Sequence, residues 1–414
     1  MPETSTVRNA IDVSEVQRER LTALLDGAGW VTPVGVGFTE AWSQVPISDS
    51  QDHTGDAGAL TSTEVEGARI FFSSGGSTGS PKFTLLAFPE VLENSRVHGR
   101  GYRSAGIGPD DVVATWGIPG IMSSEFTAYL ALAETGCSIL PIGNSIDAAA
   151  LIDVIREFRT TAVLVMPSNL NPVISLLQDR GETIDSIRLV VTGGEPLLAA
   201  DKERYGKFFG SDVSFRSVFQ TSDTGTIGYQ CAHSHPREYH VHEELQFVEI
   251  LNVDGGGLGE LVTTNMGRRL RPVIRQRTGD LARYLEGDCA CGSTDRRIQL
   301  SGRYGRFVKF GGEKFDLNWI IGVKEKLGIS SDDFQMLLER DEQARDRFLL
   351  RSNIVAGNKA LQRAATELFS SLSEKVAVQI ERGVVGPITF DGLSSSDVRL
   401  SSTGKIQYFI DRRS

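Results

Sequence analysis

The segment from Ser73 to Lys82 reads SSGGSTGSPK, serine, threonine and glycine almost throughout. Glycines let backbone N–H groups converge on an anion, hydroxyls add donors, and a lysine adds charge. Ser73, Ser74, Gly75, Gly76, Ser77, Thr78, Gly79 and Lys82 are therefore candidates to cradle a polyphosphate. The G-x-x-x-x-G-K-[ST] spacing of a Walker loop is absent. A flexible linker is the competing reading, but the segment is expected between a strand and a helix and ends in Pro-Lys. Four further segments could do chemistry. In VVTGGEP, Gly194, Glu195 and Pro196 could let a flat ring lie on backbone, or Glu195 could simply sit at a helix N-terminus. In FQTSDTG, Gln220, Thr221, Ser222 and Asp223 gather donors and a carboxylate that could serve Mg²⁺, or form an Asx turn. In RTGD, Asp280 could accept both hydroxyls of a ribose, or close a plain turn. In STGKI, Lys405 could meet developing negative charge, or be an exposed lysine near the chain end.

The cysteines form a separate group. Cys231, His233, His235, His240 and His242 fall within twelve residues, and Cys289-Ala290-Cys291 follows. Three thiolates and one imidazole suit a closed, structural tetrahedral zinc site. His233 and His240 both remain open as the fourth ligand, and reduced surface thiols without metal are the alternative. Cys137 stands apart at an apolar junction and is expected in the core.

These residues need a scaffold. Ser14 to Leu25 has one apolar side and is expected to be helical, and 43–66 reads as loop. ARIFF is a short strand. From about 85 to 200, VVATWG, SILPI, TAVLVM and IRLVVTGGEP alternate with helical stretches, beginning with Phe88 to Ala105. That alternation implies a parallel sheet covered by helices on both faces, with ligands at the carboxyl ends of its strands. Gly117, Gly143, Gly193 and Gly194 fall at those ends. After Phe219, QFVEIL, GELVTT and RPVIRQRTGDLARYL read as antiparallel strands. From Gly302, a basic hairpin candidate is followed by NWIIGVKEKLG (helix), FQMLLERD and DRFLLRSNI (strands), NKALQRAATELFSSLSEKV (helix) and AVQIERG (strand). The expected fold class is α/β, with a large domain over 1–302 and a small α+β domain over 303–414.

The chain has 414 residues, 44 of them glycine, and a net charge of −10. That length suggests a large and a small domain. An acidic chain without a long basic run is a poor nucleic-acid binder. No signal peptide or membrane helix is evident, so a cytoplasmic protein is expected. The sequence leaves the oligomeric state, a homodimer included, open.

In this order and spacing the segments resemble the adenylate-forming superfamily of acyl-CoA ligases, adenylation domains and luciferases. The resemblance runs from about residue 65 to 414. VTGGEPL, PVIR-x-RTGD and the CxCG that follows are similar to the phenylacetate–CoA ligase-like branch. Within it, the chain resembles the small adenylating proteins of phenazine antibiotic biosynthesis. The resemblance implies a large multi-sheet adenylating domain and a mobile C-terminal one. It implies attack of a carboxylate on the α-phosphate of Mg–ATP, giving acyl-AMP, then transfer to coenzyme A. The loop 73–82 would hold phosphates, and Gly194, Glu195 and Pro196 would flank the adenine. Asp223 would organise Mg²⁺, Asp280 would take the ribose, and Lys405 would bridge the carboxylate and the α-phosphate. Arg303, with Arg306, Lys309 and Lys314, would meet the 3′-phosphate of coenzyme A, or form a solvated face. Zinc-binding members of the branch place their histidine where His240 stands. Two departures are clear: Phe219-Gln220 and Asp223 replace Tyr-Gly and Glu, and Gly305-Arg306 replaces an acidic hinge pair. The branch implies an aromatic acid, which Trp116 and Phe219 near strand ends permit. Transfer to an acyl carrier protein or partner enzyme, and a non-catalytic nucleotide-binding relative, are the alternatives.

Overall fold

The computed structural model describes residues 13–30, 36–49, 60, 67–74, 82–117, 123–143, 147–195, 197, 199–210, 212–303, 307–310, 313–316, 318–342, 345–370, 380, 385–394, 398 and 407–412. Helix α1 (Glu15–Gly27) starts at a capping box, with Ser14 Oγ accepting from Gln17 N–H at 3.2 Å. Helix α2 (Phe38–Gln44) follows. Both dock on the large body: Trp42 is fully buried edge-on to Phe247, ring centroids 5.5 Å apart. Leu21, Leu25, Trp42 and Val45 thus share a core cluster with Phe247 and Met266.

Strands β1 (Arg69–Ser74) and β2 (Lys82–Ala87) form an antiparallel hairpin in which Ser74 faces Lys82. The glycine-rich loop, expected between a strand and a helix, is followed by a second strand. The structure inserts β2, because Thr84, Leu85 and Leu86 are all buried. Helix α3 (Phe88–Ala105) then runs to Gly106, whose left-handed backbone (φ +109°) ends it.

The parallel portion comprises β3 (Val112–Trp116), α4 (Ser123–Ala133), β4 (Ser138–Pro141), α5 (Ala148–Glu157), β5 (Ala162–Val165), α6 (Pro167–Arg180), β6 (Leu189–Thr192), α7 (Ala199–Gly206) and β7 (Ser214–Thr221). Side chains alternate across the sheet as a two-residue period requires. On β6, Leu189 and Val191 pack with α3 and α4 residues such as Tyr102 and Leu132, while Val190 packs with α5 and α6 residues such as Ile152 and Ile174. Helices therefore cover both faces, as expected. Cys137 packs half-buried against the first of these clusters.

The antiparallel strands β8 (Gly225–Tyr229), β9 (Glu238–Val241), β10 (Gln246–Leu251), β11 (Gly259–Asn265), β12 (Val273–Leu285) and β13 (Arg297–Arg303) continue the same sheet. The order is β10-β11-β12-β13-β9-β8-β7-β6-β5-β3-β4, eleven strands. Strand β7 is the joint, parallel to β6 and antiparallel to β8.

The rest holds a hairpin of β14 (Phe307–Phe310) and β15 (Glu313–Asp316), then α8 (Asn318–Lys326). A four-stranded sheet follows, built from β16 (Gln335–Arg340), β17 (Asp346–Arg351), β18 (Thr389–Asp391) and β19 (Phe409–Asp411), with α9 (Asn353–Ala356) and α10 (Lys359–Ser370) between β17 and β18. One apolar cluster, with Phe310, Phe348 and Phe369 at its centre, draws all its buried residues from 310–388. The expected strand AVQIERG falls outside the described residues apart from Ile380. Among the described residues no helix is long and apolar enough to cross a membrane.

Candidate functional site

A cleft of about 1310 Å³, open mouth included, lies at the carboxyl ends of β3, β5, β6 and β7. Gly117, Met166, Gly193, Gly194, Gln220, Thr221 and Ser222 line it, which is where the parallel sheet led us to expect a ligand. Gly194 has φ +80°, a backbone that favours glycine. Glu195 instead lies within electrostatic reach of Lys324 on α8, and Pro196 is outside the described residues.

The turn bearing Asp223 is held from below. The Thr221 and Thr224 hydroxyls meet at 2.8 Å, and Thr224 O accepts from Gln246 Nε2 (2.9 Å) and Asn265 Nδ2 (2.6 Å). Arg268 supplies a support that the motifs did not reveal. Its buried guanidinium lines the cleft, donating to Asp223 O (3.2 Å) and to Thr84 Oγ1 (2.9 Å) on β2. Burial holds it down to about 10, and the charges of Glu90 and Asp223 favour its ionised form. One cation thus ties the Asp223 turn to the strand that leaves the phosphate-loop candidate. The residues around it, MGRRL, carried no pattern to mark it.

Asp280 pairs with Arg303 across the β12–β13 ladder, Oδ1 to Nη1 at 2.8 Å. A side chain at Gly279 (φ +73°) would put its Cβ 3.0 Å from Arg303 Nη2. Arg303 therefore belongs with Asp280. Arg306 and the side chains of Lys309 and Lys314 lie outside the described residues, so the structure does not assemble the basic patch. Ser73 is buried on β1. Residues 75–80, the side chains of Ser74 and Lys82, and Lys405 lie outside the described residues as well.

The aromatic expectation shifts. Trp116 packs in the core under α5 and α6, and Phe219 packs on Tyr239 with ring centroids 5.8 Å apart; neither lines the cleft. Phe72, Leu86, Tyr102, Leu164 and Val218 line it instead. They come from five separate elements, so no local pattern could mark them.

The small body touches the large one beside this cleft. Arg204 Nη1 on α7 pairs with Asp332 Oδ2 at 2.5 Å, and Arg237 pairs with Glu325. Between these pairs Lys324 is buried, its Nζ 4.0 Å from the Tyr408 ring centroid and surrounded by the charges of Asp201, Glu195 and Asp332. Burial holds Lys324 down to about 8, against the ordinary 10.5. A chain with Lys324 buried then binds fewer protons than one with Lys324 exposed between those values, so this packing gains stability as pH rises through 8. Limited proteolysis near residue 303 should slow from pH 7 to pH 9; faster cleavage would contradict this sign.

A second cluster lies on the antiparallel side. Single ligand atoms of Cys231, His240, Cys289 and Cys291 all lie within 4.8 Å of one another. The Cys231 and Cys289 sulfurs are 3.6 Å apart, and Cys291 Sγ is 3.5 Å from His240 Nε2. A tetrahedral zinc with Zn–S near 2.3 Å puts its sulfurs about 3.8 Å apart, so the four fit. His240 Nδ1 lies 3.4 Å from Asp295 O, which leaves Nε2 for a metal. His233 is not in the group; its backbone N–H donates to Cys231 Sγ at 3.3 Å. Burial alone would raise the Cys231 thiol, but hydrogen bonds from Ser234, His233 and the other thiols bring it below its usual value. Burial pushes Cys291 up to about 11. Without a cation, the cluster thus favours one thiolate and opposes a second.

The sequence model of the family described as AMP-binding enzyme matches residues 5–243. The chain is 24% identical to the indoleacetate–lysine synthetase of Pseudomonas savastanoi, over 92% of this chain and 93% of that one. It is 27% identical to the phenylacetate–coenzyme A ligase of Escherichia coli, over 56% of this chain and 54% of that one. The chain thus spans about half the length of that ligase. Among solved structures, it superposes on a 2-hydroxyisobutyryl-CoA ligase in complex with 2-HIB-AMP, with TM-score 0.73 and 18% identity, covering 96% of this chain and 89% of that one.

Proposed function

The chain belongs to the AMP-binding enzyme family, within the adenylate-forming superfamily and its phenylacetate–CoA ligase-like branch, and from that premise we propose that it activates a carboxylic acid with ATP and passes the acyl group to a thiol. The observation that carries this reading is the cleft. Gly193, Gly194 and the Gln220–Ser222 segment meet there at the ends of parallel strands, with an apolar lining that includes Phe72 and Val218 beside them. A carboxylate attacks the α-phosphorus of ATP; the bond to the bridging oxygen breaks, pyrophosphate leaves and acyl-AMP remains. The catalytic task is positioning and charge neutralisation. Gly194 lies against the adenine. Asp280, oriented by Arg303, accepts the ribose hydroxyls. Asp223, in the turn fixed by Arg268, would hold Mg²⁺ together with Gln220, Thr221 and Ser222. The loop from Ser73 to Lys82 holds the β- and γ-phosphates, and Lys405 reaches the α-phosphate. Magnesium, when bound, neutralises charge on the leaving pyrophosphate.

Coenzyme A is the acceptor the branch favours, and an aromatic acid is the donor; transfer to a carrier protein in antibiotic biosynthesis is a variant of the same step. One observation favours a second reading, in which an amine takes the acyl group. The relative matched over nearly its whole length is named as joining an acid to lysine. ATP–pyrophosphate exchange with aromatic, fatty and amino acids tests the first step. Absence of exchange with all of them would favour a nucleotide-binding relative. Adding coenzyme A, or lysine, then identifies the acceptor by its thioester or amide.

Cys231, His240, Cys289 and Cys291 are the residues to hold a structural zinc, joining the β8–β9 connection to the turn after β12. Metal analysis should find one zinc per chain. Cys289→Ser should lose it and lower the melting temperature by about 5–10 °C. A wild-type protein free of zinc after expression in zinc-supplemented medium would refute the assignment.

A further inference from the structure

The cleft contains a carboxyl group that the adenylation chemistry does not use. Glu125, in the first turn of α4, lines the cleft and is 5% exposed. Its Oε1 accepts from the Tyr129 hydroxyl at 2.8 Å. Burial first, and that bond second, push the Tyr129 hydroxyl up to about 12, so it keeps its proton and donates. Oε2 lies over Gly117 at the end of β3, where a Cβ built on that glycine would come within 2.0 Å of it. Among the described residues nothing donates a hydrogen bond to Oε2 and no cation pairs with Glu125. A glutamate early in a helix commonly serves the helix dipole. Glu125 differs, because one oxygen is spoken for by a side chain and the residue lines a cavity together with Phe72, Tyr102, Ala128 and Leu164. A ligand that fills this wall of the cleft without supplying a donor leaves the carboxylate oxygen unpaired, which is costly; a ligand that brings a donor avoids that cost.

We propose that Glu125 is a specificity-determining residue that selects carboxylic acids bearing an N–H or O–H donor apart from the carboxyl group that is activated. Hydroxyl, amino and indole N–H groups belong to that class. Plain phenyl or alkyl acids fill the cleft but leave Oε2 unpaired. A site built to hydrogen-bond its substrate rejects the analogue lacking that group far more strongly than an apolar pocket rejects a missing methylene. This inference rests on the adenylation reading above.

The test is pyrophosphate exchange with the full-length protein and matched acids: 3- and 4-hydroxyphenylacetate, 4-aminophenylacetate and indole-3-acetate against phenylacetate and naphthalene-1-acetate. At least one donor-bearing acid should exceed its matched acid by about 10²-fold in kcat/KM. Glu125→Leu should abolish that preference, lowering kcat/KM for the donor-bearing acid and leaving the plain acid within a few fold. Gly117→Ala, which displaces Oε2 without removing the carboxyl group, should weaken the same preference and covers the case in which Glu125→Leu does not fold. Exchange indifferent to the donor in the wild type, or a preference that survives both substitutions, would overturn the inference alone. Exchange with none of these acids would overturn the adenylation reading beneath it.

Discussion

Lys405→Ala is expected to lower ATP–pyrophosphate exchange by about 10²–10³-fold, the usual consequence of deleting one donor aimed at transition-state charge. The attacking carboxylate and the α-phosphate are both anionic, so their approach needs a cation between them. Arg268 is already engaged with the Asp223 carbonyl and Thr84, and Arg303 with Asp280. Lys405 has suitable chemistry, and its tether is short. Four residues later, Phe409 enters β19, which pairs with β16 from Met336 to Leu338. The small body therefore carries Lys405, and contacts such as Arg204–Asp332 hold that body against the large one beside the cleft. Acyl transfer from chemically supplied acyl-AMP should suffer much less, because that step has no α-phosphate attack. Full exchange activity in the alanine variant would remove Lys405 from the site.

Arg275→Met should destabilise the large body by about 3–5 kcal/mol, the range for breaking one side of a buried pair. Arg275 and Glu249 are both almost fully buried, joined by Nε–Oε2 at 3.1 Å and Nη2–Oε1 at 3.0 Å. Arg275 Nη1 also donates to Val45 O at 2.6 Å, holding the end of α2 on the sheet. Its backbone is left-handed, φ +46°, where the β11–β12 register shifts between Thr263 and Asn265. The bulge turns the side chain inward. Removing the guanidinium leaves buried Glu249 without this partner, and frees the Val45 carbonyl. The double variant Arg275→Met with Glu249→Leu should recover most of the loss, since an apolar pair in such a place is often neutral. Urea unfolding of the three proteins measures this. An unchanged midpoint for the single variant would show that the pair contributes nothing.

Much of this was legible because it is local. The helix from Phe88 to Ala105 and the strands VVATWG and TAVLVM follow from periodicity and from punctuation by glycine. The chemical motifs were legible because phosphate and metal chemistry demands residue types at close spacing, as in the Cys289–Cys291 pair. The family followed from the order of those motifs. What the sequence left undecided depends on distant chain segments meeting. The choice between His240 and His233 turned on which imidazole faces Cys291, a contact across 51 positions. Arg268 and Glu125 gained their meaning only when the cleft assembled around them. The cleft lining shifted from Trp116 and Phe219 to Phe72, Tyr102 and Leu164, because one residue of register decides which face of a strand meets the ligand and which meets a helix. Residue types and order thus determined the family to which this chain belongs; the pairing of remote strands and helices decided which side chains line its cleft.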